Sequence, residues 1–231
     1  MARIILDALS HQAVRELGSE AATYGTAPAE AGRWAGQRLT GLRQALGAAG
    51  YDLAIAPPDA DVLDEAAALI VGSRSQLVPF DALETDAIAA FVETGGGLLL
   101  MANHRGLVRP QQQLAEALKL PISFNDISVV DGPRIGIVLH ELTAGVEAIA
   151  VRNCCSLRLA AGAEPLALFN EPGHVFAAAM KIGLGRVVAV ADSGFIASRD
   201  DSGRDMFASA SNARFIGSIL GWLAGASRGQ T

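Results

Sequence analysis

Polar residues gather just after the apolar runs of this chain, and their types are those of chemistry. Asp7, Ser10 and His11 follow the first run, Ser73 and Arg74 a later one, Asn103, His104 and Arg105 the next, and Asp192 and Ser193 the last. His11 and His104 are the candidate catalytic residues, since an imidazole can take or give a proton near neutral pH or bind a metal. Arg74 and Arg105 are suited either to grip a carboxylate or phosphate with a planar fork or to pair with the surplus of acidic residues. Asp192 is a candidate ligand contact, and also suits a structural role bonding the amides of its own loop. Asp7, Ser10, Ser73, Asn103 and Ser193 complete the expected binding set.

Several chemistries lack their spacing. A metal held by His11, His104 and Asp7 or Asp192 has no H-x-x-x-H or H-x-H pattern behind it, so no metal or cofactor is expected. Ser10 and Ser193 lie outside any G-x-S-x-G turn, which speaks against a serine hydrolase. Gly95-Gly-Gly97 precedes an apolar run, whereas a phosphate loop follows a strand and opens a helix. Cys154 and Cys155 are adjacent, cannot readily pair with each other and have no third cysteine to pair with. They suit small buried hydrophobes in a reducing, cytoplasmic setting.

The elements that must position these residues follow from periodicity. Apolar runs at Arg3–Leu6, Asp52–Ala56, Ala67–Gly72 and Leu98–Met101 read as strands. Amphipathic helices are expected over Glu30–Ala49, Leu83–Thr94, Gln111–Leu120 and Ser211–Ala224, with Ser211 or Asn212 as the cap of the last. Further short strands are expected at Ala148–Val151, Ser156–Ala160 and Leu166–Phe169. Val175–Lys181 and Arg186–Ala191, joined by Ile182-Gly-Leu-Gly185, read as an antiparallel hairpin. Strands alternating with helices predict an α/β fold, a mostly parallel doubly wound sheet flanked by helices, with that hairpin added in the C-terminal half. One domain over residues 1–226 is expected, with 227–231 a frayed tail. In such a sheet ligands sit beyond the carboxyl ends of the strands, where all the polar residues above fall.

Two segments carry a resemblance. Phe91-Val-Glu-Thr-Gly-Gly-Gly-Leu-Leu-Leu-Met101 resembles the helix, glycine turn and strand before the nucleophile of class I glutamine amidotransferase-like (flavodoxin-like) domains. Gly183-Leu-Gly-Arg-Val-Val-Ala-Val-Ala-Asp-Ser193 resembles the hairpin and Asp-Ser loop of that superfamily. The opening Asp7-Ala-Leu-Ser-His11 is similar to its non-glutaminase branches, the trehalose-utilisation-like proteins and the gliding-motility and intraflagellar-transport domains. A glutaminase would need a cysteine where this chain reads Ala102-Asn103-His104. The resemblance therefore implies a domain binding a small polar or anionic ligand without glutaminase chemistry. A hydrolase or isomerase using His11 or His104 as base is one alternative, and a homo-oligomerising structural subunit is another.

Bulk properties narrow the class. The 231 residues are 51% hydrophobic and 18% charged, enough apolar content for a filled core. The net charge of −6 without clustered Lys or Arg argues against nucleic acid. Asp7 interrupts the N-terminal apolar run, too short for a secretory segment, and no run reaches a membrane span.

Overall fold

Burial on both faces selects the central strands. In chain order the elements are β1 (Ala2–Asp7), α1 (His11–Glu16), α2 (Thr40–Ala48), β2 (Tyr51–Ala56), α3 (Ala60–Asp64), β3 (Ala66–Val71), α4 (Ala82–Glu93), β4 (Gly97–Met101), α5 (Arg109–Ala117), β5 (Ile122–Val130), β6 (Ile135–Ile137), β7 (Asn153–Leu159), β8 (Ala163–Phe169), β9 (Val175–Ile182), β10 (Gly185–Val190) and α6 (Asn212–Ala224). The computed structural model describes residues 1–18, 35–103, 107–130, 135–200 and 202–225. All five residues of β4 are buried, as are the last four of β1 and β10. Unbroken apolar runs of this kind are what a sheet covered on both faces requires.

The sheet runs β2-β1-β3-β4-β10-β9-β7-β5, with β8 joined to β9 and β6 to β8. The first five strands are mutually parallel. From β10 onward every pairing is antiparallel, beginning with the predicted hairpin, in which Gly185 faces Ile182 and Val190 faces Ala177. The predicted α/β sheet is present, and its antiparallel portion extends well past that hairpin. From β1 the chain passes to β2 on one side and to β3 and β4 on the other. That reversal opens a crevice above the β1–β3 boundary.

Helices complete the layers. Asp81 caps α4, its carboxylate taking the Glu84 N–H while Glu84 takes the Asp81 N–H. Ile88, Phe91 and Val92 form its buried face. Helix α6 buries Phe215, Ile216, Ile219, Leu220 and Leu223, each contributing about 2 kcal/mol through apolar area removed from water. Gly95, at φ +110°, turns the chain from α4 into β4. Gly97 lets the backbone of Leu223 lie directly on the strand.

Several expected elements differ. The helix predicted over Glu30–Ala49 occupies only Thr40–Ala48 of the described residues. Before it lies a turn in which Gly36 has φ +72° and donates its N–H to Glu16. Residues 30–34, and the tail predicted as frayed, lie outside the described residues. Ala148–Val151 is not a strand: the amide of Asn212 bonds both N–H and C=O of Ala150, and Ala148 accepts from Ser211 N–H. These bonds replace a ladder. Ser211 holds the cap position of α6, but its hydroxyl accepts from Glu147 N–H instead of capping the helix.

Candidate functional site

Four neighbouring parallel strands, β1, β3, β4 and β10, deliver their following residues to one edge of the sheet. Asp7 ends β1, Ser73 and Arg74 follow β3, Asn103 follows β4, and Asp192 and Ser193 follow β10. The described strand-end residues thus lie along one edge, and their polar groups divide into two layers.

The inner layer is closed. Arg74 donates from Nε and Nη2 to the two oxygens of Asp7, each at 2.7 Å, and from Nη1 and Nη2 to Glu84 at 2.9 and 2.8 Å. Its face lies 3.9 Å from the centre of the Phe80 ring. Burial opposes the guanidinium charge, but the two carboxylates outweigh it and hold its pKa above the usual arginine value. Ser10 donates to Asp7 at 2.9 Å and accepts from Gly72 N–H at 2.8 Å. Asp7, Ser10, Ser73 and Arg74 are all at 0% exposure, so their polar atoms face each other and not solvent.

Above this layer Ser193 is a junction. Its hydroxyl lies 2.8 Å from that of Ser73, accepts from Gln12 Nε2 at 2.9 Å, and meets Asn103 Nδ2 at 3.3 Å. His11 is placed by its own N–H, which donates to the Ser73 carbonyl at 2.7 Å. One loop bond therefore sets the start of α1.

The outer layer lines a cleft of about 120 Å³. Arg15, Arg38 and Arg152 line it together with His11. Gln12, Asn103 and Asn153 contribute amides, Leu107, Ala197 and Met206 an apolar side, and Asp192 and Asp200 the carboxylates. Arg38 is positioned by Glu16, which accepts from the N–H groups of Arg38 and Leu39, while its Nη1 donates to the Arg199 carbonyl at 3.1 Å. Arg152 reaches Asp200 at 3.2 Å. Burial alone would raise the Asp200 carboxyl, yet the Ser202 hydroxyl and the N–H groups of Arg204 and Ser202 keep it below the usual carboxylate range. Asp192 behaves oppositely. Burial pushes its pKa up to about 7, against the pull of the N–H groups of Gly194 and Arg152.

Of the residues expected from the sequence, His11, Asn103 and Asp192 line this cleft, and Ser193 braces its floor. Asp7, Ser10, Ser73 and Arg74 lie in the closed layer beneath it. His104 and Arg105 lie outside the described residues. The cationic wall of Arg15, Arg38 and Arg152 was not anticipated. Arg15 had a readable signal, since it lies four residues after His11 and so shares its helix face. Arg38 and Arg152 reach the cleft from segments without regular structure, where spacing says nothing. Cys154 and Cys155 form no disulfide and are buried on β7, and burial, then the charge of Asp192, pushes the Cys154 thiol well above its usual value. Among the described residues no three His, Cys, Asp or Glu side chains gather as metal ligands, and no helix is long and apolar enough to cross a membrane.

No family model and no curated protein matches the chain. Solved structures do. The N-terminal domain of mmIFT52 superposes with a TM-score of 0.70 at 13% identity, covering 99% of both chains. A protein described as ThuA-like from Parabacteroides merdae gives 0.57 at 9% identity, over 99% of this chain and 91% of that one. A protein described as one of the subunits of GMP synthase, from Thermoplasma acidophilum, gives 0.50 at 11% identity over 96% of each. At these identities the likeness is one of fold alone.

Proposed function

We propose that this chain is a non-glutaminase domain of the amidotransferase-like fold that binds a small anionic ligand in the cleft at the strand ends. The observation that carries this reading is the convergence of Arg15, Arg38 and Arg152 on one cleft in a chain of net charge −6. Among the described residues the acids lining it are Asp192 and Asp200, and burial pushes the Asp192 carboxyl up to about 7. A lining of arginines suits an oxyanion such as a carboxylate, sulfate or phosphate group. The cleft suits a small molecule or the anionic end of a larger one, with Asn153 on its wall.

Two observations support the non-glutaminase part. The turn after β4 opens with Ala102-Asn103-His104 and offers no thiol, and the two cysteines of the chain are buried on β7. Thioester chemistry needs an accessible thiolate, which a buried thiol of raised pKa does not supply.

Calorimetric titration with sulfate, citrate and glycolate tests the reading. Binding is expected at pH 6, with Arg15→Met and Arg152→Met each weakening it about tenfold, the usual worth of one charge-assisted contact. Unchanged affinity in both variants would refute the assignment of the cleft.

A further inference from the structure

Asp192 is out of place in a cleft lined by arginines. It is 2% exposed, and Oδ1 accepts the Gly194 N–H at 2.6 Å, with the N–H of Arg152 also bonded to the carboxylate. Among the described residues no side-chain cation forms an ion pair with it. Among the described residues the other titratable and charged groups around it are His11 and Arg15 of α1, Arg38 before α2, Arg152 and the Cys154 thiol at the start of β7, and Asp200 across the cleft. Two backbone donors leave room for a carboxyl group in either protonation state.

An oxyanion drawn in by the guanidiniums places a second negative charge in the same small space. Two anions sharing a poorly hydrated site cannot both persist cheaply, and the weaker acid takes up a proton. We propose that the cleft takes up its anion together with one proton, which comes from solvent and resides on Asp192. The inference rests on the anion-binding reading above. In the bound state the protonated carboxyl is a hydrogen-bond donor, so a charge that would repel the ligand becomes a contact that holds it. The favoured ligand is therefore an oxyanion that also accepts a hydrogen bond, a carboxylate or a sulfate- or phosphate-type group. Because the carboxyl of the unliganded protein titrates at about 7, binding requires little proton uptake at pH 6 and nearly a full proton at pH 8.5.

Sulfate is the probe, since it carries no titrating proton in this range. Its affinity is measured calorimetrically between pH 6 and pH 8.5, in pairs of buffers differing in ionisation enthalpy so that proton uptake is counted directly. The expected result is roughly thirtyfold weaker binding at pH 8.5 than at pH 6, with close to one proton taken up per sulfate at the higher pH. Asp192→Asn, always neutral, is expected to remove most of that dependence, and His11→Gln to leave it in place. If Asp192→Asn does not fold, the wild-type proton count together with His11→Gln decides the matter. Sulfate binding with equal affinity at both pH values and no proton uptake overturns the proposal while the anion site stands. Uptake that disappears in His11→Gln assigns the proton to the imidazole and overturns it likewise. Absence of sulfate binding even at pH 6 removes the anion site itself, and this proposal with it.

Discussion

Arg74 and Asp7 meet fork to fork, two donors each 2.7 Å from a separate carboxylate oxygen, with neither side chain exposed to solvent. The pair ties the end of β1 to the loop after β3, at the place where the strand order reverses. Glu84, from the first turn of α4, closes the cluster from behind. The edge that carries the cleft is therefore braced by charge, not by apolar packing alone.

Breaking this pair from one side leaves a buried charge without its partner. Arg74→Met is expected to destabilise the protein by about 3 kcal/mol or more in urea unfolding. The double variant with Asp7→Asn is expected to recover part of that loss, because the stranded carboxylate is gone. Additive losses would show that the two residues do not act as a unit.

Stability should carry the mark of Asp192 against pH. Its folded pKa, about 7, lies above the ordinary carboxylate value, so between about pH 4 and 7 the native state holds a proton that the unfolded chain has released. This group's contribution is thus complete below pH 4, declines as pH rises to 7 and is flat above that. Asp192→Asn removes the declining part. Its stability relative to the wild type should rise by about 2–3 kcal/mol from pH 5 to pH 8. Parallel pH profiles for the two proteins would contradict the assignment.

Gly185 opens β10 with no room for a side chain, for a Cβ there would run into the carbonyls of Val92 and Gly96. Gly185→Ala must push α4 away from the sheet edge. A loss of about 2 kcal/mol is expected, in the range of overpacking costs. A neutral effect in thermal unfolding would mean that this contact is loose.

The thiols offer a simpler check. Cys154 and Cys155 are fully buried, and the Cys154 thiol is held protonated by burial beside Asp192. Native protein at pH 8 is expected to resist a thiol reagent for hours, and both residues to react at once in urea. Rapid modification of the folded protein would reopen a role for a cysteine.

Much of the scaffold was legible because periodicity reports burial. The unbroken run Leu98–Met101 and the stripe Phe215, Ile216, Ile219, Leu220, Leu223 could only be a covered strand and a packed helix, and they are. Elements defined by tertiary bonds were not legible. Ala148–Val151 looks like a strand until the Asn212 side chain, over sixty residues away, takes its backbone groups. The site divided the same way. Strand ends led to the edge that carries the cleft, but residue type could not say which polar groups face inward. Arg74 has the chemistry of a ligand clamp and spends it on Asp7 and Glu84, while Arg38 and Arg152 reach the cleft from irregular segments.

An oxyanion is expected in the cleft between α1 and the loop after β10. Sulfate titration followed by amide NMR tests it most directly. Saturable shifts are expected on His11–Arg15, Asn103, Arg152–Asn153 and Asp192–Gly194, largely lost in Arg152→Met. Shifts scattered over the surface, or the same pattern retained in that variant, would contradict it.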